Sequence, residues 1–313
     1  MLPDLTTMVS RLRFKQLRLL IALDDLKSLH KAADAVAITQ PGASKALAEI
    51  ESTFGAPLFE RTSQGLDPND LGRCVIRYAR LINTDLAHLR EEMLGILQGH
   101  GGRLAVGVIM GAVPVLVEAL ARLRARQPLI SCEVVEDTSA RLLSLLDEGR
   151  LDLAICRTSV SKRPDAYDCR FREQEALILV AHPANPLVQR TDLQLRELAE
   201  CRWVVFPVNM PMRLTLEREF RDAGLNFPQY SIETSSTFTT LSLLAQDPSL
   251  VAVMPADVAR IALDHGMLAT LPLPLNSRSE PFEIVTRHGA SISVPSQLLI
   301  DELMQGPGIA QNR

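Results

Sequence analysis

The residue types between positions 39 and 51 suit a helix that reads the edges of DNA bases. Thr39 can cap the helix start, and Pro41 falls in its first turn, where a missing N–H costs nothing. The face predicted to turn to the core carries Ala43, Leu47 and Ile50. Gln40 and Ser44 fall on another face beside Lys45, where amide and hydroxyl groups can bond base edges and the helix start favours phosphate. An ordinary solvated helix face would carry the same residues, so the choice between a DNA-reading face and a solvated face depends on the neighbouring elements.

Two further helices are predicted just before this one. Residues 13–27 show an apolar stripe at spacings close to three and four. Ser28 can cap a second helix, and the Ala32-Ala33 pair gives that helix a small face that another helix can approach closely. The first ten residues predict only an irregular leader.

The order of these motifs resembles the LysR-type transcriptional regulator family. The resemblance covers residues 13–73 and rests on Ala32-Ala33, Thr39-Gln40-Pro41, Ser44-Lys45-Ala46-Leu47, Glu49-Ile50-Glu51, Gly55 and Pro57-Leu58-Phe59-Glu60-Arg61. It implies a winged helix-turn-helix whose third helix enters the major groove of promoter DNA and whose hairpin forms the wing. By position, it implies base contacts from Gln40, Pro41 and Ser44. It implies phosphate or minor-groove contacts from Thr39, Lys45 and Arg61, with Lys31 near the backbone.

The chain departs from the family pattern in the wing and in the third helix. Gln64 stands where family wings commonly carry a second basic residue, and Asp67 and Asp70 make the wing more acidic. These differences predict weak wing contacts. Gly42 should loosen the third helix by roughly 0.5–1 kcal/mol relative to alanine.

A regular apolar seam follows the wing and predicts one long helix that pairs with a partner. Its members, at alternating spacings of four and three, are Val75, Ala79, Ile82, Leu86, Leu89, Met93 and Ile96. The alternative is a single helix lying on its own domain. The family resemblance also implies a homodimer, which would present two heads to an inverted repeat, and the seam does not distinguish a dimer from a homotetramer. The segment GHGGR at 99–103 predicts a flexible break.

After the break, strands alternate with helices in an α/β pattern, which predicts a parallel sheet with ligands beyond the carboxyl ends of its strands. The chain should leave one lobe near Glu175 and return near residue 277, giving two lobes joined by two crossings. This organisation resembles type 2 periplasmic binding proteins and the sensor domain of LysR-type regulators, including the EGRLDLAI segment at Glu148–Ile155. The predicted domains are 11–70 for DNA binding, 71–98 for dimerisation and 103–313 for effector binding. The last divides into lobe I, 103–175 and 277–305, and lobe II, 176–276.

The turns from strand to helix should line a cleft for a small-molecule effector, because each offers backbone N–H groups at a helix start. The predicted effector-binding residues are Met110, Gly111, Ala112, Thr138, Ser139, Pro207, Val208, Asn209, Ser235 and Ser236. Such a cleft suits a carboxylate or a polyhydroxylated ligand, although simple helix capping would explain each turn as well. The family's frequent Ser or Thr is replaced by Gly111, which removes one donor for a carboxylate.

Within the family, the chain resembles the branch of galactose-binding-protein and protocatechuate regulators. Residues 17–51 and the stretch LLAQDPSLVAVMPADVA at 243–259 carry this resemblance, although 246–249 replace the usual AAGxG segment. The branch implies a sugar, a sugar acid or an aromatic acid as effector, and RNA polymerase as a further partner.

Composition and charge agree with a regulator and disfavour other classes. Residues 11–80 hold eleven basic and eight acidic residues, a charge of +3 against −4 for the whole chain. The five scattered cysteines and the histidine spacing predict no disulfide framework and no metal site, and no cofactor is expected. The lack of a signal peptide pattern or long apolar run predicts a cytoplasmic protein that does not enter the membrane.

The rival interpretation is an α/β protein, an enzyme or a solute-binding protein, with an accessory DNA-binding head. Gly107 and Gly111 lie between a strand and a helix, faintly like a nucleotide-binding turn. The chain lacks the GxGxxG, GK[ST] and GxSxG patterns that such chemistry needs. The sequence therefore predicts a non-enzymatic, effector-controlled transcription regulator.

Overall fold

The computed structural model describes residues 3–63, 65–98, 102–208, 210–229, 231–276 and 279–305, without the side chains at 91, 92, 95–98, 171 and 172. Its described part divides into two units. The first comprises Met1–Gly102 and Ser144–Leu151, and the second comprises Arg103–Leu143 and Asp152–Arg313. Within the described residues, no helix combines the length and the apolar character needed to cross a membrane.

The first unit has the element order of a winged helix-turn-helix. It runs α1 (Leu5–Arg11), α2 (Phe14–Leu26), α3 (Leu29–Ala35), α4 (Gln40–Phe54), β1 (Phe59–Thr62), β2 (Gly65–Pro68) and α5 (Asp70–Gln98). The two strands pair antiparallel, as a wing requires. The fold predicted for the start of the chain is therefore confirmed.

The core of this unit lies between α2, α3 and α4. Leu20, Leu23 and Ile50 are fully buried, and so are the small side chains Ala32 and Ala33, which let α3 pack closely. Side-chain caps start α3 and α4 where the sequence predicts them: the Ser28 hydroxyl accepts from the N–H of Lys31, and Thr39 caps α4.

Helix α1 is an element that the sequence analysis missed. The Asp4 carboxylate accepts a hydrogen bond from the N–H of Thr7 at 2.7 Å and so caps the helix start. Met8 and Leu12 pack against the core of the first unit. A cap and two apolar contacts therefore order a segment that has little periodic pattern of its own.

The wing is tied to α5 through Asn69. The N–H of Asn69 donates to the carbonyl oxygen of Leu58 at 3.0 Å, and its side-chain amide donates to that of Pro57 at 2.8 Å. The Asn69 side-chain oxygen accepts from the N–H of Gly72 at 2.9 Å, in the first turn of α5. A Cβ on Gly72 would lie only 2.0 Å from the Leu58 carbonyl oxygen, so glycine is what allows this approach.

Helix α5 spans Asp70–Gln98, as the apolar seam predicts, but its first part belongs to the core of its own unit. Val75 is half-buried and Ala79 is buried, so these two members pack within the first unit. The next four members are exposed: Ile82 by 38%, Leu86 by 42%, Leu89 by 54% and Met93 by 53%. The side chain of Ile96 lies outside the described residues.

The second unit contains two five-stranded sheets with helices around them. Its strands are β3 (Arg103–Val108), β4 (Ser131–Glu136), β5 (Leu153–Cys156), β6 (Tyr167–Glu173), β7 (Leu177–Ala181), β8 (Arg202–Val205), β9 (Ile232–Glu233), β10 (Leu250–Pro255), β11 (Ala269–Thr270) and β12 (Phe282–Arg287). Its helices are α6 (Val113–Arg126), α8 (Leu195–Leu198), α9 (Pro211–Asp222), α10 (Thr237–Gln246), α11 (Ala256–Asp264) and α12 (Val294–Met304). Helix α7 (Ser139–Asp147) begins in this unit, and its residues from Ser144 onward belong to the first unit. One sheet has the order β4-β3-β5-β12-β6 and the other the order β11-β7-β10-β8-β9.

These two sheets form the two lobes, and the chain crosses between them twice, after β6 and before β12. The prediction of parallel sheets is wrong in part. β12 runs antiparallel to β5 and β6, and β7 runs antiparallel to β10 and β11. Two neighbouring parallel strands need a connection that crosses over one face of their sheet. β7 and β12 each enter their sheet from the other lobe and have no such connection to the strand beside them. The sequence analysis also missed β6, α11 and β11.

Candidate functional site

The structure places the predicted DNA-contacting residues of α4 on its solvent side. Gln40, Pro41, Ser44 and Lys45 are all exposed, while Ile50 of the same helix is fully buried. The two faces assigned from spacing are therefore the two faces observed. This leaves amide, hydroxyl and ammonium groups free of the core within the first two turns of a helix.

The remaining predicted contacts lie beside this face or on the wing, and all three are exposed: Lys31, Thr39 and Arg61. Thr39 already has a structural role, because its hydroxyl oxygen accepts from the N–H of Gly42 at 3.2 Å. Its hydroxyl hydrogen can still donate to a phosphate. Arg61 lies on β1, opposite Leu66 of β2.

Part of the negative charge of the wing is compensated, because the Asp67 carboxylate has a basic partner. The Thr62 hydroxyl donates to its carboxylate at 3.0 Å, and the Lys27 ammonium lies 3.2 Å away. These hydrogen bonds, Thr62 first, hold the pKa of Asp67 below its usual value. The second acidic residue, Asp70, pairs with Arg73 at 2.5 Å. Gln64 lies outside the described residues.

A cavity of about 360 Å³ lies in the second unit between turns of the two lobes. This size falls in the lower part of the range for small-molecule sites, roughly 300–1,000 Å³. The cavity wall brings together five of the predicted effector-binding residues: Met110, Gly111, Thr138, Ser139 and Ser235.

Other predicted effector-binding residues lie elsewhere. Among the described residues, the wall does not include Ala112, Pro207, Val208 or Ser236. Ala112 is fully buried, and Ser236 caps α10 by accepting from the N–H of Thr239. Met210, Pro211 and Met212, at the start of α9, line the cavity instead of 207–208. Asn209 lies outside the described residues.

The sequence analysis also missed Arg157, a cavity residue that is 3% exposed. Its guanidinium donates to the Glu175 carboxylate at 3.0 Å, to the Ser279 hydroxyl at 3.1 Å and to the Glu280 carbonyl oxygen at 2.9 Å. Its N–H donates to the Ser139 hydroxyl at 3.1 Å. Arg157 follows β5 directly. A charged residue at the end of an apolar strand was therefore the signal in the sequence that could have identified it as a cavity residue. It joins both chain crossings to the cavity wall.

Glu175 lies beneath the cavity wall at the first crossing. A Cβ on Gly111 would lie 1.5 Å from its Oε1 atom, so the carboxylate occupies the space that a side chain at 111 would need. Oε1 is buried and has no hydrogen-bond partner within the described structure. Burial raises the pKa of Glu175, although the positive charge of Arg157 opposes this effect.

Two family models match most of the chain. The model described as "Bacterial regulatory helix-turn-helix protein, lysR family" matches residues 14–73. The model described as "LysR substrate binding domain" matches residues 97–307. The two matches fall on the winged helix-turn-helix and on the two-lobed unit.

Curated relatives carry the names of transcription regulators. The chain is 31% identical to the HTH-type transcriptional regulator GbpR of Azospirillum brasilense over 277 residues, 88% of this chain and 81% of the relative. It is 28% identical to the uncharacterized HTH-type transcriptional regulator YdcI of Escherichia coli K12 over 299 residues, 94% of this chain and 95% of the relative.

Solved structures share the fold at low sequence identity. A full-length OxyR variant from Pseudomonas aeruginosa has a TM-score of 0.63 and 17% identity, covering 95% of this chain and 96% of that one. Full-length CbnR complexed with its target DNA has a TM-score of 0.64 and 18% identity, covering 93% and 99%. The two family models and the relative GbpR show that the chain belongs to the LysR family of DNA-binding transcription regulators with an effector-binding domain.

Proposed function

We propose that this regulator reads promoter bases with Gln40, Pro41 and Ser44 of α4 and holds phosphates with Thr39, Lys45, Arg61 and Lys31. The observation that carries the proposal is the exposure of all seven residues around the start of α4 and on the wing. CbnR, which shares the fold, has been solved with its target DNA. The proposed place of action is the cytoplasm, where promoter DNA is accessible.

Base and phosphate contacts should separate in binding experiments. We expect Ser44→Ala or Gln40→Ala to lower the preference for a selected operator over random DNA by about 1–3 kcal/mol, because each removes a base contact. We expect Lys45→Ala or Arg61→Ala to weaken binding to all DNA and to reduce the slope of log K against log salt by about one. Fluorescence anisotropy on the selected and random duplexes, over a salt series, measures both quantities.

Two matched variants control for nonspecific effects. Ser52→Ala makes the same change as Ser44→Ala at an exposed position farther along α4, and Lys162→Ala removes an exposed lysine from the second unit. Neither should change the preference or the salt slope. Equal losses on operator and random DNA for Ser44→Ala would contradict base reading, and an unchanged slope for Lys45→Ala would contradict a phosphate contact.

We propose that the exposed part of α5 pairs with the same helix of a second copy, giving a homodimer that can pair again into a homotetramer. Ile82, Leu86, Leu89 and Met93 form an apolar stripe that solvent would otherwise cover. Such a stripe at alternating four- and three-residue spacing is the surface of a coiled-coil partner. A dimer presents two heads to an inverted repeat, next to the RNA polymerase that it regulates.

A charge in this stripe should dissociate the dimer. We expect Leu86→Asp to shift the protein to monomer at micromolar concentration, because pairing would bury an unpaired carboxylate on each side. Analytical ultracentrifugation measures the change in mass. Asn83→Asp adds the same charge at an exposed position off the stripe and should leave the assembly intact. A Leu86→Asp protein that keeps the wild-type mass would exclude pairing through this surface.

We propose that a small effector bound in the cavity of the second unit controls transcription. The predicted classes are a sugar, a sugar acid or an aromatic acid. The effector needs only to favour one of two arrangements on DNA by its difference in affinity for them. Footprinting and in vitro transcription with and without a bound compound test this control. A compound that binds the protein yet changes neither the footprint nor the transcript would exclude it.

A further inference from the structure

The charges around the cavity are unfavourable for an acidic ligand. Glu136 and Asp137 line its wall, and the Glu175 carboxylate lies directly beneath Gly111. Among the described wall residues, Arg157 is the one with a positive charge. The described wall and the side chain beneath it therefore carry three carboxylates and one guanidinium.

The charge of Arg157 is already compensated within the protein. Its guanidinium lies 3.0 Å from the Glu175 carboxylate, and both side chains are more than nine-tenths buried. A buried ion pair of this kind is costly to separate, because each partner would keep an uncompensated charge. An incoming carboxylate would have to displace Glu175 to gain the positive charge.

The contact between Gly111 and Glu175 brings the negative charge close to the ligand. Because Gly111 has no side chain, the Oε1 atom of Glu175 takes the position of a Cβ at the cavity wall. That atom has no hydrogen-bond partner within the described structure, whereas the other oxygen of the carboxylate accepts from Arg157. A carboxylate oxygen at this position repels an anion and attracts a hydrogen-bond donor.

The rest of the wall suits an uncharged ligand that has both hydroxyl groups and an apolar face. Met110, Met210 and Met212 supply apolar, adaptable surface. Thr138 and Ser235 supply hydroxyls. Hydroxyl groups of a ligand can form hydrogen bonds with them without carrying a charge.

We propose that the cavity selects neutral hydroxylated effectors over carboxylates, and that Glu175 sets this preference by neutralising Arg157 beneath Gly111. This inference rests on the proposed effector site. It narrows the ligand class to sugars and other uncharged hydroxylated compounds, and it removes sugar acids and aromatic acids. Glu175 acts here through Arg157 and Gly111 and is a positioning residue.

Matched ligand pairs test the preference on the full-length protein. The probes are glucose with glucuronate, galactose with galacturonate, and catechol with 3,4-dihydroxybenzoate, which differ within each pair by the acid group. Isothermal titration calorimetry at pH 7.5 gives the two dissociation constants of a pair. We expect at least one neutral member to bind at least about tenfold more tightly than its acid, the effect of one uncompensated charge in a partly buried site.

The variant Glu175→Gln keeps the shape of the side chain but leaves the charge of Arg157 uncompensated. We expect it to move the ratio of acid to neutral affinity by about tenfold or more toward the acid. Glu280→Gln is the matched control, because Glu280 contacts Arg157 through its backbone carbonyl while its carboxylate faces Ser159. It should leave the ratio unchanged. A ratio of affinities does not respond to a general loss of stability.

Each outcome decides the inference. Tighter binding of a neutral member, with the expected shift in Glu175→Gln, supports it. Equal or tighter binding of the acids to the wild type overturns it, and so does an unchanged ratio in Glu175→Gln. The absence of binding by every neutral probe overturns the ligand class. None of these results tests the proposed function in DNA binding. That function is tested separately by the operator and salt measurements, which need no ligand.

Discussion

Replacing Gly72 with alanine is expected to lower the free energy of unfolding of the first unit by about 3 kcal/mol or more. The added Cβ would lie 2.0 Å from the Leu58 carbonyl oxygen and 3.1 Å from the Cβ of Pro68. The first obstacle is backbone, and Leu58 is itself almost fully buried, so the strain cannot be relieved by rotating a side chain. The hydrogen bonds of Asn69 to both sides of the junction should be lost as the wing and α5 separate.

Calorimetric unfolding of the full-length protein, with operator binding measured in parallel, checks this expectation. Gly42→Ala is the matched control, because it makes the same change in a helix of the same unit. Its Cβ would meet only the Thr39 hydroxyl, at 3.1 Å, and alanine favours a helix. The control should therefore change stability by less than about 1 kcal/mol in either direction. Similar losses for the two variants would show that the contact between Gly72 and Leu58 does not limit the packing.

Replacing Gly111 with alanine is expected to destabilise the second unit by about 3–5 kcal/mol, the cost of breaking a buried ion pair. The Cβ would lie 1.5 Å from Oε1 and 2.7 Å from Cδ of Glu175, so the carboxylate must leave its place beside Arg157. The backbone of Gly111 does not need a positive φ, so the effect comes from space alone. Urea unfolding followed by the fluorescence of Trp203, buried in the second unit, measures it.

A double-mutant cycle identifies the obstacle. In a Glu175→Ala background the space is empty, and Gly111→Ala should then cost less than about 1 kcal/mol. Gly289→Ala is a further control, because nothing lies within 4 Å of its added Cβ and only its positive φ introduces strain. That strain should cost about 1–2 kcal/mol. An equal cost of Gly111→Ala in both backgrounds would show that Glu175 is not what excludes a side chain there.

The parts of the fold that sequence predicts well are those specified by local patterns. The caps at Ser28 and Thr39 and the two faces of α4 follow from residue types within one or two helical turns. The length of α5 follows from a seam repeated over several turns. Its first members, Val75 and Ala79, pack into their own unit, because spacing alone does not show which surface covers an apolar stripe.

The parts that sequence predicts poorly depend on residues far apart in the chain. The direction of β12 depends on its return from the other lobe, more than a hundred residues after β5. Arg157 joins Glu175, 18 residues later, with Ser279, 122 residues later, and no local pattern connects such positions. The residues after β8 were assigned to the cavity at 207–209, whereas Met210, Pro211 and Met212 line it. A shift of a few residues along one connection therefore changes which side chains can meet a ligand.

The contact between Gly111 and Glu175 also constrains how the gene can change. A side chain at 111 and a glutamate at 175 cannot occupy the same space, so a single codon change at 111 meets an obstacle encoded 64 codons away. Descendants that gain a hydroxyl or methyl at 111 should therefore also carry a shorter residue at 175, together with a substitution at Arg157. The residues at these three positions should therefore change together in evolution. The combination of residues found there should divide related regulators into lineages.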